Sequence, residues 1–319
     1  MQPGRSQYSG SVTIVNEAAD SFRSVSARPS GRRYFLTVTT SGPPGSEVLA
    51  AQPRALIVTI YGLYARATGG WFSIAALIKL MSELGVEEPA VRSAISRLKL
   101  RGLLESRRVG AAAGYGLSAG GQKTLADGDR RIFGHPRAST EDGWVLAVFS
   151  VPEHERARRH ALRTRLAWLG FGTVAAGVWI APDRLADQTR DVLAADDLAA
   201  YVSLFTAGYL AFGDVRDKIS EWWDLDRLEQ LYQAFIDSAA PVLARWQSVD
   251  SDVGQAFADY VRVVTAWRRL PFLDPGLPPD FLPADWHGAR AAELFGELSA
   301  RLGGPARAHV LAVTGTNVM

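Results

Sequence analysis

The chain has 319 residues, of which 47% are hydrophobic and 21% charged, so it is long enough for two or three globular domains. It contains no cysteine, which excludes disulfides, thiolate metal sites and cysteine nucleophiles and agrees with an expected cytoplasmic location. No apolar run approaches the roughly 18 residues that cross a bilayer, and the N-terminus lacks the pattern of a secretory signal, so no membrane partner is expected.

The positive charge is concentrated in one part of the chain. Residues 51–140 hold 13 Lys and Arg against 6 Asp and Glu, a net charge of +7. Residues 141–319 hold 17 against 24, a net charge of −7. The overall charge of +2 therefore combines a basic segment with an acidic remainder. This division is expected if the basic segment contacts phosphate and the remainder contacts something else.

The first predicted elements are a leader and two helices. Residues 1–50 are rich in Ser, Gly, Pro and Arg and are expected to form a flexible leader, although a start codon assigned too far upstream would give the same pattern. The fold is predicted to begin at Pro53, because a proline at a helix start precedes the apolar run 55–61. Ser73 is expected to cap a helix from about Ile74 to Leu84, and Gly85 ends that helix.

Residues 87–101 predict a helix with one apolar face and one basic, hydroxyl-bearing face. At about 100° per residue, Val91, Ile95 and Leu98 share the apolar side. The opposite side carries Pro89, Ser93, Ser96 and Leu100, flanked by Arg92 and Arg97. Gly102 ends the helix, and a short strand and a turn follow, which is the order of a winged helix-turn-helix. Surface helices often carry arginines, but the charge asymmetry of the chain favours a DNA-reading helix.

The remaining pattern predicts two further domains. Ser118 is expected to cap a helix over 123–131, and a linker at 134–137 closes a winged-helix domain over 51–136. From Trp144 to Phe205 the order is β-α-β-α-β, with a single strand from Val174 to Ile180. This order indicates a ferredoxin-like α/β domain over 140–213, interpreted as a dimerisation platform. Residues 214–319 are expected to form a mostly helical effector or interaction domain, so the fold class is α+β multidomain.

Four blocks of sequence resemble the PaaX family of repressors, which control bacterial phenylacetic acid catabolism. The blocks are PRALIVTIYGLYAR, AVRSAISRLKLRGLLESRRVG, WVLAVFSVPEHERARRHALRTRLAWLGFG and PFLDPGLPPDFLPADWHGARAAELF. The resemblance covers nearly the whole chain from Pro53. It implies a winged helix, a central ferredoxin-like domain similar to CRISPR-adaptation nucleases, and a helical C-terminal domain. It also implies a dimeric repressor that an aryl-CoA thioester, such as phenylacetyl-CoA, releases from its operator.

The chain departs from the family pattern at the expected tip of the wing. Residues 110–115 are GAAAGY, whereas relatives tend to be basic and polar there. Alanine side chains cannot bind phosphate, so the reading helix must carry more of the DNA contact. A second departure, His287 where proline is expected, has no clear functional consequence.

The expected partner is double-stranded operator DNA. Arg92 and Arg97 are long enough to reach guanine in a major groove, while Ser93 and Ser96 can donate to a base edge or to phosphate. The residues expected to bind the phosphate backbone are Ser73, Lys99, Arg101, Arg107 and Arg108. The alternative for Arg92 and Arg97 is pairing with Glu83, Glu87 or Glu88 on the surface of the same module. A homodimer on a palindromic site would double the contacts.

Two groups of arginine and tryptophan are candidates for an acyl-CoA effector, which needs cations for its phosphates and an apolar pocket for its acyl part. The first consists of Arg156, Arg158, Arg159, Arg163, Arg165 and Trp168. The second consists of Arg262, Trp267, Arg268 and Arg269. Arg262, Trp267 and Arg268 are favoured because they precede the family-like segment 271–274. The alternative is that the arginines are solvated and the tryptophans belong to a core.

An enzyme is the principal rival class. No catalytic residue, cofactor or metal is predicted, because the nucleophile-elbow, P-loop, dinucleotide-binding and zinc-protease motifs are missing and His154 and His160 fall on different faces of a helix. A nuclease would need an acidic metal ligand at the end of the first ferredoxin-like strand, where Glu153 is the first carboxylate. The other alternative is a PaaX-like regulator of another pathway, such as styrene or other aromatic catabolism, with a different ligand or none.

Overall fold

The computed structural model describes residues 52–134, 137–210, 212–248 and 252–315. The predicted leader, 1–50, lies outside these ranges. The described residues form two compact units that do not follow chain order. One unit combines 52–134 with 226–272 and 284–315, and the other combines 137–225 with 273–283. Helices and two small sheets are both present, as an α+β fold requires.

The N-terminal part of the first unit contains helices and a three-stranded sheet. Its elements are α1 (Pro53–Tyr64), a 3₁₀ turn (Ala65–Thr68), β1 (Trp71–Ser73), α2 (Ile74–Glu83), α3 (Glu88–Leu100), β2 (Leu104–Val109), β3 (Ala112–Leu117) and α4 (Ala119–Gly134). The sheet is antiparallel with the order β1-β3-β2. The Ser73 hydroxyl accepts a hydrogen bond from the Ala76 amide at 3.1 Å, and Pro53 lies in the first turn of α1. Both predicted helix starts are therefore confirmed.

The apolar face of α3 lies where its periodicity predicts. Val91, Ile95 and Leu98 are almost completely buried. They belong to the core that α3 shares with α1 and α2. The helix ends at Leu100, and Gly102 adopts a φ of +68°, a conformation that glycine adopts with little strain.

The other unit contains a four-stranded sheet and its helices. Its elements are β4 (Trp144–Phe149), a 3₁₀ turn (Glu153–Glu155), α5 (Arg156–Leu169), β5 (Gly172–Ala175), β6 (Val178–Pro182), a 3₁₀ turn (Asp183–Leu185), α6 (Ala186–Ala195), a 3₁₀ turn (Ala199–Tyr201), β7 (Val202–Ala207) and α7 (Val215–Trp222). The sheet order is β5-β6-β4-β7, and every neighbouring pair is antiparallel. The connectivity is β-α-β-β-α-β, the split β-α-β order of ferredoxin-like domains.

The single strand predicted from Val174 to Ile180 is wrong. The chain turns there, and β5 and β6 form a hairpin. Gly177 makes the turn with a φ of +80°, and a Cβ at this position would lie 2.6 Å from the carbonyl oxygen of Phe149. Only glycine fits both the backbone angle and the close approach.

The C-terminal helices complete the core of the first unit. They are α8 (Leu225–Ser248), α9 (Val253–Trp267), α10 (Leu270–Leu273) and α11 (His287–Thr314). α9 packs along α11 and also against α1. One hydrophobic core therefore joins the N-terminal helices to α8, α9 and α11, and it extends from Leu56 to Val310. No helix within the described ranges is long and apolar enough to span a bilayer.

The segment between α10 and α11 belongs to the unit with the four-stranded sheet. A carboxylate oxygen of Asp274 lies 3.3 Å from a guanidinium nitrogen of Arg137. Arg184 donates to the carbonyl of Pro275 at 2.8 Å. The segment also contains a 3₁₀ turn (Pro279–Phe281), whose Phe281 ring stacks on Trp144 with centroids 6.3 Å apart. These contacts explain why 273–283 separates from the helices that flank it in sequence.

Candidate nucleic-acid interface

A tight turn joins α2 to α3. The amide of Gly85 donates to the carbonyl of Ser82 at 2.9 Å, and the amide of Val86 donates to the carbonyl of Met81 at 3.0 Å. Gly85 adopts a φ of +78°, which closes α2 in the left-handed conformation. The turn places α3 against α1 and α2 through its apolar face, so the opposite face points away from the core.

The outward face of α3 carries the predicted DNA-reading side chains. Ser93, Ser96 and Arg97 are exposed, and Leu100 is 79% exposed. Arg97 takes part in no ion pair with any residue that the structure describes. The face therefore presents a cation, two hydroxyl groups and a methyl-bearing side chain, all chemistries that contact base edges in a major groove.

Arg92 has the alternative partner that the sequence allowed. Its guanidinium lies 2.6 Å from a carboxylate oxygen of Glu88, one helical turn earlier. Both side chains are about half exposed. An exposed pair with this spacing contributes only about 0.3–0.5 kcal/mol, so a phosphate or a guanine can compete with Glu88 for the guanidinium.

Two strands, β2 and β3, form a hairpin beside α3, where the sequence predicts a wing. Arg107 and Arg108 are exposed on β2, opposite Gly114 and Ala113 of β3. A Cβ at Gly114 would lie 2.1 Å from the carbonyl oxygen of Phe72, so β1 and β3 can approach this closely only with glycine at that position. A shallow groove of about 190 Å³ borders both arginines.

The other predicted phosphate contacts occupy different environments. The Lys99 ammonium lies 5.6 Å from the ring centroid of Tyr115, and this cation–π contact connects α3 to β3. Ser73 uses its oxygen to cap α2 and keeps its hydroxyl hydrogen available as a donor. Arg101 is half-buried, and its Nη1 is buried without a hydrogen-bond partner among the described residues.

The three favoured effector residues have different neighbours. Trp267 is 1% exposed, stacks on Phe295 with centroids 4.7 Å apart and donates its indole N–H to the carbonyl of Ile132 at 2.9 Å. Arg262 donates to the carbonyl of Leu84 at 3.4 Å, and Arg268 to that of Ala55 at 3.3 Å. The tryptophan therefore belongs to the core, as the alternative interpretation held, and the two arginines bind carbonyls at the end of α2 and the start of α1.

Residues of the first arginine group make contacts within their own unit. Arg165 is buried, forms an ion pair with Asp196 and lies 5.3 Å from the ring centroid of Trp168. A carboxylate oxygen of Glu153, the carboxylate that a nuclease would need, lies 2.8 Å from Arg159. Within the described ranges, no group of three or more His, Asp or Glu side chains is arranged to hold a metal ion.

The structure also brings together cations that the sequence analysis did not group. Arg54 at the start of α1 lies near Arg97 in α3 and Arg101 at its C-cap. Its pKa is lowered by burial and by the charges of Arg101 and Arg97. No spacing rule could have found this group, because its members come from separate segments of the chain.

The comparisons with known proteins agree with this architecture. The family models described as "PaaX-like protein", "PaaX protein central Cas2-like domain" and "PaaX-like protein C-terminal domain" match residues 52–121, 137–219 and 223–312. The chain belongs to the PaaX family of transcriptional repressors. The four-stranded unit corresponds to the family's Cas2-like domain.

Two relatives show how far the similarity extends. The chain is 26% identical over 261 residues to the transcriptional repressor PaaX of Escherichia coli strain K12. The aligned region covers 80% of this chain and 82% of that protein. A solved structure of an uncharacterized protein from Mycobacterium tuberculosis superposes with a TM-score of 0.54 at 26% identity. That match covers 80% of this chain and 97% of the other. The family resemblance inferred from the sequence blocks is confirmed.

Proposed function

We propose that the protein is a sequence-specific DNA-binding repressor that reads its operator with α3. In this proposal α1 to α4 and β1 to β3 form a winged helix-turn-helix. The main support is the outward face of α3, where Ser93, Ser96 and Arg97 are exposed while Val91 and Ile95 anchor the opposite face in the core. A rigid helix with one polar face is the element that enters a major groove.

The contacts divide into those that read bases and those that bind phosphate. Arg92, Ser93, Ser96 and Arg97 are the proposed base readers. Arg92 reaches a base only after leaving Glu88, which costs about 0.3–0.5 kcal/mol. The proposed phosphate contacts are Ser73, Lys99, Arg101, Arg107 and Arg108. The last two lie in β2 close to the turn at Gly110 and Ala111, not at the base of the hairpin, so they supply cations next to the alanine tip.

A homodimer is the proposed DNA-binding form. One α3 offers too few contacts for the affinity of an operator complex, and a two-fold axis would present two of them to successive half-sites. β5 and β7 are the outer strands of the four-stranded sheet, so each presents an edge that another strand can pair with. Sedimentation equilibrium tests the proposal, since a mass of one chain at micromolar concentration would contradict it.

An acyl-CoA thioester, such as phenylacetyl-CoA, is the proposed effector, and genes of aromatic catabolism are the proposed targets. Because Trp267 lies in the core, Arg262 and Arg268 are the remaining proposed effector contacts. Calorimetry with several acyl-CoAs on the wild type and on Arg268→Ala tests the assignment, and equal binding by both would remove Arg268. Neighbouring aryl-CoA ligase or ring-epoxidase genes would favour phenylacetyl-CoA, and their absence would favour another effector or none.

A quantitative binding measurement tests the reading helix. Fluorescence anisotropy at fixed salt concentration compares operator affinity for the wild type, Ser96→Ala and Arg97→Ala. Each lost base contact is expected to cost about 1–3 kcal/mol. Arg130→Ala is the matched control, because Arg130 is an exposed arginine of α4 whose side chain is 86% accessible. Equal affinities for all four proteins would contradict the assignment of α3.

A further inference from the structure

Five arginines from three parts of the chain meet around the start of α1. They are Arg54 in α1, Arg97 and Arg101 at the end of α3, and Arg268 and Arg269 directly after α9. α1 packs against both α3 and α9, which brings the three segments together. Arg268 also donates to the carbonyl of Ala55 in the first turn of α1. We call these five residues the arginine cluster.

The arginine cluster contains positive charge without acidic partners. None of the five forms an ion pair with a residue that the structure describes. The first turn of α1 contains no acidic residue. Burial, followed by the charges of Arg269 and Arg54, lowers the pKa of Arg268 to about 10, and burial lowers that of Arg269. The cluster is therefore held together against its own repulsion by the packing of the helices.

Hydrogen-bond donors of the cluster are left without acceptors. Nη1 of Arg101 and Nε of Arg268 are buried, and no described residue accepts a hydrogen bond from either. At the N-cap of α1, the carbonyl of Gln52 accepts from the amides of Ala55 and Leu56 at 2.7 and 3.3 Å, and the Gln52 side chain provides no further acceptor. Buried donors of charged groups are costly to leave unpaired, commonly by about 1–3 kcal/mol.

We propose that the arginine cluster and the N-terminus of α1 form a binding site for a phosphate group. Guanidinium groups bind phosphate oxygens in pairs of parallel hydrogen bonds, and a helix N-terminus adds a partial positive charge. Arg54 interacts electrostatically with Arg97 and Arg101 on one side and with Arg268 on the other, so a phosphate beside Arg54 would neutralise charge from both parts of the cluster. A single carboxylate offers fewer acceptors and less charge.

The phosphate can come from two sources. Arg101 follows Arg97 by one helical turn and lies beside the outward face of α3, where the backbone of DNA would pass. Arg268 is deeper and would suit a terminal phosphate of a small-molecule effector. Both sources present the same chemistry to the cluster, and the site does not require α3 to read bases.

Thermal unfolding with inorganic pyrophosphate tests the site. Pyrophosphate binding to the folded protein should raise the unfolding midpoint above that in sodium chloride at equal ionic strength. Arg54→Gln and Arg269→Gln are expected to weaken the apparent pyrophosphate affinity about tenfold, because each removes a charged bidentate donor. In sodium chloride the same variants should unfold at a higher temperature than the wild type, because repulsion is relieved.

Arg307→Gln is the matched control, since Arg307 is an exposed arginine of α11 without an ion pair among the described residues. It removes the same charge and should leave the pyrophosphate response unchanged. Far-ultraviolet circular dichroism establishes that each variant is folded, and either Arg54→Gln or Arg269→Gln suffices for the test. A pyrophosphate response that is equal in the cluster variants, Arg307→Gln and the wild type would overturn the proposal.

The salt dependence of DNA binding then identifies the source. If DNA supplies the phosphate, Arg54→Gln makes the negative slope of log affinity against log salt shallower by about one. An unchanged slope with a lost pyrophosphate response assigns the site to a small-molecule phosphate. Ser96→Ala should keep the full pyrophosphate response, so loss of base reading and loss of the phosphate site are distinguishable.

Discussion

Glu83 in the last turn of α2 and His309 on α11 lie 2.6 Å apart, from carboxylate oxygen to ring nitrogen. One residue further along the chain, the carbonyl of Leu84 accepts a hydrogen bond from Arg262 of α9. Two C-terminal helices therefore hold the point at which the chain turns from α2 into α3. A ligand that shifts α9 or α11 would have direct contacts through which to move α3, the proposed reading helix.

A double-mutant cycle measures the contact between Glu83 and His309. Glu83→Gln and His309→Gln are each expected to lower the free energy of unfolding by about 1–3 kcal/mol, because each leaves a polar partner without its charged hydrogen bond. The double variant should lose less than the two single losses combined, with a coupling energy of about 0.5–3 kcal/mol. Urea denaturation provides the values, and strict additivity would show that the contact contributes nothing.

Replacing Gly114 by alanine tests the close approach of β1 and β3. The added Cβ would lie 2.1 Å from the carbonyl oxygen of Phe72 and 2.7 Å from the Trp71 ring. We expect Gly114→Ala to destabilise the protein by more than about 2 kcal/mol, because backbone and indole must both move. Gly296→Ala is the control, because Gly296 lies within α11 and an added Cβ there meets no atom within 4 Å. This variant should be more stable than the wild type by about 0.5–1 kcal/mol, since alanine favours a helix over glycine. Similar denaturation midpoints for the two variants would contradict this account.

Stability is expected to fall at alkaline pH because of two buried tyrosines. Burial raises the pKa of Tyr61, with a smaller effect from Tyr115, and burial raises that of Tyr64, with a smaller effect from Tyr260. In the unfolded chain both hydroxyls lose their protons near pH 10, whereas the folded protein retains them. The unfolded state then binds fewer protons, so the stabilisation present below pH 10 decreases as pH rises, by up to about 1.4 kcal/mol per group and pH unit.

Tyr64→Phe isolates this effect. The Tyr64 hydroxyl is buried and has no hydrogen-bond partner among the described residues, so its removal should not destabilise the protein at neutral pH. Above about pH 10 the variant should lose stability more slowly with pH than the wild type. The lowered pKa of Arg268 has the opposite effect, because it makes stability rise with pH. This contribution is the same in both proteins and cancels in the comparison. Tyr209→Phe, at an exposed tyrosine, should follow the wild type; identical pH profiles for all three proteins would refute the explanation.

The sequence predicted the elements whose residues are neighbours along the chain. The stripe of Val91, Ile95 and Leu98, the cap at Ser73 and the helix start at Pro53 depend on local periodicity and capping chemistry, and each lies where it was predicted. The family was also recognisable, because separate blocks match in the right order.

Features that depend on contacts distant in sequence could not be predicted. The hairpin of β5 and β6 looked like one strand, because two short apolar strands are separated only by Ala176 and Gly177. The sequence predicts Trp267 as an effector contact, but periodicity does not reveal that Phe295 stacks on it and that the carbonyl of Ile132 accepts its indole N–H. The arginine cluster was missed because only the packing of α1 against α3 and α9 brings its members together.

The central claim is that α3 reads DNA sequence, and selection of binding sites from a random pool of double-stranded DNA tests it most directly. Selection with the wild type should enrich a two-fold symmetric motif with half-sites about one helical turn apart. Selection with Arg97→Ala should give the same motif with one base pair in each half-site no longer specified. The Arg130→Ala control should reproduce the wild-type motif. Failure of the wild type to enrich any motif, or an unchanged motif after Arg92, Ser93, Ser96 and Arg97 are all replaced by alanine, would contradict the claim.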